Sequence, residues 1–303
     1  MKLSTPARPA STPPPARRFV AALLTTALGL ALTASSIPAA QAAPAGFCPD
    51  GSQPYATVAE VEGFAPGTAV TGLSVTHGTT PDPFTGTYVG HLADALGKDK
   101  DMLLFRLASP VIDGTADLKP AGIWAGMSGS PVYTSDGRLI GAVAYSMNGD
   151  NLPIAGVTPA EYMKNIGTTV VGTSAKVKVT RDNLRTTDAG VRAAGTSLVG
   201  ATLSQVRTVN VAGTAGSKQN AFANRTLART PKAAKAASVL RSRTFLPAAA
   251  VRPASVTDDL VAGGSIAVLY GSGDLVAGSV GTVTATCGDT VWAFGHPMAY
   301  TGK

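Results

Sequence analysis

The chain is expected to fold as a mostly β protein, a barrel or a sandwich. Three observations lead there. Of 303 residues only 14% are charged and 6% aromatic, while 34 are Gly and 21 are Pro. That balance excludes a coiled coil, a helical bundle and a Lys/Glu-rich disordered tail. Short apolar runs alternate with Gly, Pro and Asp turns, and helical periodicity is scarce. After the first 42 residues about 260 remain, enough for one large β domain or two small ones.

Residues 1–42 hold four basic residues (Lys2, Arg8, Arg17, Arg18) and no acidic one. An uncharged apolar run, Phe19 to Ala34, leads to the small-x-small site Ala40-Gln41-Ala42. This order predicts a secretory signal peptide cleaved after Ala42, and Arg17-Arg18-Phe19 is a partial twin-arginine match. An uncleaved N-terminal anchor is the alternative. Beyond the leader no run is long enough to span a bilayer. The expected location is secreted or in the cell envelope, where disulfides persist. The two cysteines, Cys48 and Cys287, have one intramolecular pairing. Such a bridge would tie the mature N-terminus to a hairpin near the C-terminus; two separate thiols are the alternative. The two Cys and three His are scattered without zinc-ligand spacing, and neither a metal nor an organic cofactor is expected.

Residues 43–188 read as short strands. Met102 to Ala108 is one; Pro131 to Thr134 and Arg138 to Tyr145 are two more, joined by Ser135-Asp136-Gly137, whose Asp-Gly step signals a hairpin. Pro159 to Ile166 is expected as a short helical turn with Pro at its start. Residues 189–257 differ, with ten Lys/Arg and no Asp or Glu. The rest of the chain after residue 42 carries 11 basic and 18 acidic residues, a net of −7. The plain reading is a solvated basic connector over an acidic body, with Thr230 to Arg241 as a surface helix. Docking to an anionic envelope polymer is the sharper reading; nucleic acid is not favoured, because no aromatic interleaving or binding motif accompanies the charge. Residues 258–303 return to strands, with a hairpin from Ser279–Thr286 through Cys287-Gly288-Asp289 to Thr290–Phe294.

The strongest chemical signal is Gly126-Met127-Ser128-Gly129-Ser130-Pro131. A hydroxyl nucleophile needs a base to take its proton and N–H groups aimed at the oxyanion that forms. Two glycines allow a tight turn that presents Ser128 and points the N–H groups of Gly126 and Ser128 into one hole. Pro131 then opens the outgoing strand. Gly141 to Tyr145 is expected to wall a cleft and pair with an extended peptide, with the small Ala142 and Ala144 leaving it roomy. An ordinary Gly/Ser turn is the plain alternative.

GMSGSPVYTSDGRLIGAVAY resembles the nucleophile region of the SpoIVB peptidase family, a group of chymotrypsin-like serine peptidases. The likeness extends upstream through FRLASPVIDGTADLKPAGIWA and downstream to IAGVTPAEYM, and VGTVTATCGDTVWAFGHPM is similar to a segment carrying the family's histidine. Together these cover about half of the chain after residue 42. The resemblance implies a chymotrypsin-like double β-barrel, rearranged or incomplete, acting as a serine endopeptidase on protein or peptide substrates. It implies Ser128 as nucleophile, Asp113 as orienting acid and His296 as base. The family's order is His, Asp, Ser after a PDZ domain; here the candidate His follows the Ser and no PDZ stretch is evident. The chain ends seven residues past His296, which reads as a fragment or an early-terminated member.

Only His77, His91 and His296 can serve as base. His296 ranks first. His91, in Val89-Gly90-His91, restores the order His-Asp-Ser but lies only 22 residues before Asp113. His77 reads as a turn residue. Asp113 also suits a capping turn, and Asp117 is the alternative acid. Trp124 and Trp292 read as core. A non-catalytic cell-envelope binding protein on a peptidase-like scaffold is the rival function, and self-cleavage near the basic segment a third.

Overall fold

The computed structural model describes residues 46–147, 152–166, 175–207, 210–213, 245–247, 260–271 and 275–297. The leader and the Ala-rich stretch Thr230 to Arg241 lie outside these residues, as does the end of the chain past Pro297.

In chain order the elements are α1 (Val58–Glu62), β1 (Ala69–Ser74), β2 (Asp82–Gly97), β3 (Lys100–Ala108), α2 (Pro110–Asp113), a 3₁₀ turn (Ala125–Met127), β4 (Pro131–Tyr133), β5 (Leu139–Met147), β6 (Ile154–Pro159) and α3 (Ala160–Lys164). Then follow β7 (Lys176–Lys178), β8 (Leu184–Arg185), α4 (Asp188–Ala194), β9 (Thr202–Gln205), β10 (Asn210–Gly213), β11 (Phe245–Pro247), β12 (Ser265–Gly271), β13 (Leu275–Cys287) and β14 (Thr290–Ala293). The expected barrel is present. Strands β4, β1, β2, β3, β6 and β5 pair antiparallel in that order, and β5 pairs with β4 to close a six-stranded ring. A second sheet holds β11, β10, β13 and β12, with β14 on β13.

The local reasons are legible. Thr57 and Glu60 form a capping box at the start of α1. Along β3 the side chains of Leu103, Phe105 and Leu107 enter one apolar cluster, while Met102 and Leu104 enter a second on the opposite face. This period-two split makes the strand apolar almost throughout, because both its faces are covered. The Asp136-Gly137 hairpin joins β4 to β5, with Gly137 at a φ of 84°. Pro159 caps α3, as its fixed φ favours. Gly288, at a φ of 56°, turns β13 into β14.

Two expectations need correction. The strand Gly141 to Tyr145 has no free edge for a peptide: β6 bonds it on one side, and β4 and then β9 on the other. Ala142 and Ala144 are buried in core clusters, their small side chains serving packing rather than a cleft. The first part of the basic segment is likewise packed. Helix α4 packs against β2 and β3, strand β9 pairs with β5, and Ala194, Leu198, Leu203 and Val206 fill the core clusters. Charge counting missed this because the apolar positions there are short and irregularly spaced.

A third cluster links the barrel to the second sheet. Phe47, Leu139, Ala142, Met163 and Ala285 are buried in it, with Trp292 partly buried against them. Cys48 and Cys287 form the expected disulfide, with Cα atoms 5.3 Å apart. Phe47 meets Trp292 edge-on at 5.3 Å. Among the described residues no helix is long and apolar enough to cross a membrane.

The bridge closes a loop of 239 residues in sequence separation. Replacing both cysteines by Ser is expected to lower unfolding free energy by about 2–5 kcal/mol in urea melts. Denatured, unreduced protein should show no reactive thiol; two would remove the bridge.

Candidate active site

The motif forms a type II β-turn over Met127–Ser130. Ser128 sits at φ −54° and ψ 116°, Gly129 at φ 97°, and Ser130 N–H donates to the Met127 carbonyl at 2.9 Å. That turn requires a left-handed residue at its third position, hence the glycine. A Cβ on Gly129 would also run into the Thr282 carbonyl and the Phe294 amide. The Met127, Gly129 and Ser130 amides are used within the protein, on Trp124, Val143 and Met127 carbonyls respectively. The two amides expected to face the oxyanion, those of Gly126 and Ser128, belong to the 3₁₀ turn Ala125–Met127 and to the residue that ends it.

Strand β13 seats the turn. Thr282 N–H donates to Ser128 O at 2.7 Å, Thr282 Oγ1 to Gly126 O at 2.9 Å, and Thr284 Oγ1 to Gly129 O at 2.7 Å. Ser130 Oγ donates to Ser74 Oγ at 2.9 Å. Sequence reasoning missed Thr282 and Thr284. Their signal was the alternation Thr282-Val283-Thr284, which places two hydroxyls on one face of a strand.

After β14 the chain passes through two left-handed residues, Phe294 at φ 67° and Gly295 at φ 63°, and delivers His296. A left-handed aromatic residue is costly, by about 1–3 kcal/mol, and such strain gathers where a site must be shaped. Gly281 leaves room for the Phe294 ring, since a Cβ there would meet it. His296 Nε2 lies 2.6 Å from Ser128 Oγ. Ser128 Oγ also donates to Phe294 O at 2.8 Å, Nε2 faces Val206 O at 3.1 Å, and Nδ1 faces Pro297 O at 3.1 Å.

Neither neutral tautomer satisfies all of these contacts. With the proton on Nδ1, two acceptors face each other at Nε2 and Val206 O; with it on Nε2, the same conflict arises at Nδ1 and Pro297 O. The imidazolium, with Ser128 donating to Phe294 O, points one N–H at Pro297 O and shares the other between Val206 O and Ser128 Oγ. Against this, burial pushes the His296 pKa below its ordinary value and nearby Arg207 pushes the same way, while the Pro297 and Val206 carbonyls resist. Burial dominates, so the resting ring is neutral inside a cage shaped for its cation.

Ser128 is 1% exposed and His296 8% exposed. A small cavity of about 70 Å³ touches His296, Gly295, Trp292, Met163 and Thr158. A larger one, about 240 Å³, lies against Ser74, Asp82, Phe84, Val111 and Trp124. Trp124 is partly buried against the first core cluster, and Trp292 against the third.

The remaining candidates lie elsewhere. Asp113, on the exposed last position of α2, accepts from Arg106 Nη2 at 3.2 Å and from Ser109 N–H at 3.1 Å. Among the described residues no carboxylate pairs with His296. Asp117 is exposed in the following turn. His77 is exposed, with Nδ1 3.3 Å from Thr76 Oγ1. His91, half-buried on β2, has Nε2 3.6 Å from Asp101 Oδ2 and Nδ1 3.2 Å from Tyr88 Oη. One histidine thus has a serine without an acid, and another an acid without a serine. No protein-family model, curated protein or solved structure matches the chain.

Thr282→Val should destabilise the protein by about 1–3 kcal/mol, because Gly126 O loses its donor in a buried setting. The lowered His296 pKa sets a pH dependence. An unfolded imidazole takes up its proton near 6.5 and the folded one resists it. The stability is therefore full above pH 6.5 and is lost as pH falls through the lower folded value. Urea midpoints measured across this range should fall less steeply for His296→Gln than for wild type.

Proposed function

We propose that the chain is an exported serine endopeptidase that runs acyl transfer on a Ser128–His296 pair, with main-chain carbonyls holding the imidazolium in place of a carboxylate. The observation that carries this reading is the 2.6 Å contact between Ser128 Oγ and His296 Nε2, residues 168 apart in sequence. Convergence of a hydroxyl and an imidazole over that separation, inside the Met127-Ser128-Gly129-Ser130 turn, is the nucleophile–base arrangement of hydroxyl catalysis.

Ser128 Oγ attacks the peptide carbonyl carbon, and its proton passes to His296 Nε2. The Gly126 and Ser128 N–H groups are assigned to the oxyanion. The Val206 and Pro297 carbonyls stabilise the imidazolium as it forms, the charge-holding part of an aspartate's role. The imidazolium then protonates the leaving amine, and water attacks the acyl-enzyme with His296 as base. With its pKa lowered, the ring is a competent base at neutral pH. Because Ser128 is buried, substrate entry requires the protein to open around it while His296 stays within reach of Oγ. The apolar walls of the larger cavity, Pro83, Phe84, Val111 and Trp124, suit an apolar substrate side chain. The likeness of the motif to SpoIVB peptidases supplies the peptide-bond part of the reading, and the disulfide supports an oxidising compartment outside the cytoplasm. The basic segment is read as a connector, with an anionic envelope polymer as the alternative contact; most of it lies outside the described residues.

One observation favours the rival scaffold reading. Ser128 donates to Phe294 O and is shut from solvent, so the pair could serve as a buried polar lock in a binding protein. A fluorophosphonate probe separates the two. The peptidase is covalently labelled, and labelling disappears in Ser128→Ala and His296→Gln. It persists in Asp113→Asn, whereas loss of a triad carboxylate lowers turnover by about 10⁴. Absence of labelling in well-folded wild type transfers the protein to the scaffold reading.

A further inference from the structure

Away from Ser128, three elements bring together side chains of another kind. Glu62 ends α1, His91 lies on β2 and Asp101 on β3. One ligand atom from each lies within 4.8 Å of the others, and all three residues are half-buried. His91 Nε2 and Asp101 Oδ2 are 3.6 Å apart. Two donors on a tetrahedral ion with bonds near 2.1 Å sit about 3.4 Å apart, so the His91–Asp101 pair is already near that spacing and the Glu62 carboxylate, within 4.8 Å, closes in on binding.

The surrounding groups fix these donors. Tyr88, 2% exposed, sets its hydroxyl 3.2 Å from His91 Nδ1, leaving Nε2 to face the carboxylates. With Nε2 on a metal, Nδ1 keeps its proton and donates to Tyr88 Oη, the outer-shell contact that orients a ligating imidazole. Asp101 Oδ1 accepts from Asp94 N–H at 2.9 Å, which leaves Oδ2 turned towards His91. Asp101 N–H donates to Tyr162 Oη at 3.2 Å. Among the described residues no Lys or Arg pairs with Glu62 or Asp101. Lys100 lies 4.6 Å over the Tyr162 ring, and Arg185, across from His91 on β8, directs Nη1 to the Asp182 and Leu184 carbonyls.

We propose that Glu62, His91 and Asp101 form a binding site for a divalent transition-metal ion, Zn²⁺ being the best fit, that clamps α1 onto the β2–β3 hairpin. One imidazole nitrogen and two carboxylates exclude the all-oxygen preference of Ca²⁺ and lack the thiolates that select Cu(I). Three protein ligands leave one tetrahedral position for water. The site is separate from Ser128, so its occupancy does not depend on the peptidase reading.

The test is calorimetric titration of chelator-treated full chain with Zn²⁺, with Mg²⁺ in parallel. One Zn²⁺ is expected to bind per chain and raise the melting temperature, with far weaker Mg²⁺ binding. Glu62→Gln and Asp101→Asn should each weaken Zn²⁺ binding by at least roughly tenfold, and Tyr88→Phe by about tenfold. His296→Gln should bind as wild type does. X-ray absorption at the zinc edge should report one imidazole with oxygen ligands and no sulfur. Absence of one-to-one binding, binding that survives Glu62→Gln, or binding lost in His296→Gln overturns the site.

Discussion

The Met127–Ser130 turn lies so close against β13 that no side chain fits at Gly129, and the active-site geometry depends on that approach. Three hydrogen bonds from Thr282 and Thr284 hold the Gly126, Ser128 and Gly129 carbonyls at 2.7–2.9 Å. The same β13 continues through Cys287 into the β14 hairpin, which delivers His296. One strand therefore positions both partners: it grips the serine's backbone and, through its hairpin, aims the imidazole. The disulfide, with Phe47 and Trp292 packed edge-on, anchors the far end of that hairpin on the chain's first described residues.

The chemistry rests on a balance between burial and carbonyl dipoles. Burial disfavours the charged imidazole, while the Val206 and Pro297 carbonyls are placed for the protonated form. In the proposed mechanism this balance lets the ring take the serine's proton and pass it on. This arrangement makes no use of Asp113, whose carboxylate instead caps the short α2 and pairs with Arg106. The barrel contributes rigidity: β5 is bonded along both edges, so the Val143 carbonyl that receives Gly129 N–H is itself fixed.

The Glu62, His91 and Asp101 cluster follows a complementary logic. There the imidazole is oriented by a buried tyrosine and faces two carboxylates, a donor set that suits a cation and not an acyl group. No spacing rule finds it, because Glu62, His91 and Asp101 belong to a helix and two strands whose neighbourhood arises only when the β2–β3 hairpin pairs and α1 settles over it.

Local pattern was sufficient for the strands with strong alternation, Met102 to Ala108 and the two hairpins, since period-two burial and turn glycines act over a few residues. It also marked Ser128, because a Gly-rich turn leaves a recognisable string, and paired the only two cysteines. It did not reveal that β5 lacks a free edge, that Val206 from the basic segment reaches the imidazole, or that Asp113 stays with Arg106. Ring closure consumes the edges of β5, and the β13–β14 hairpin of the second sheet brings His296 to a serine 168 positions away. Pairing of strands far apart in the chain is a tertiary property, so it is the seating of β13 on the Ser128 turn that decides which histidine meets the serine, and the packing of α1 with β2 and β3 that decides which meets the acids.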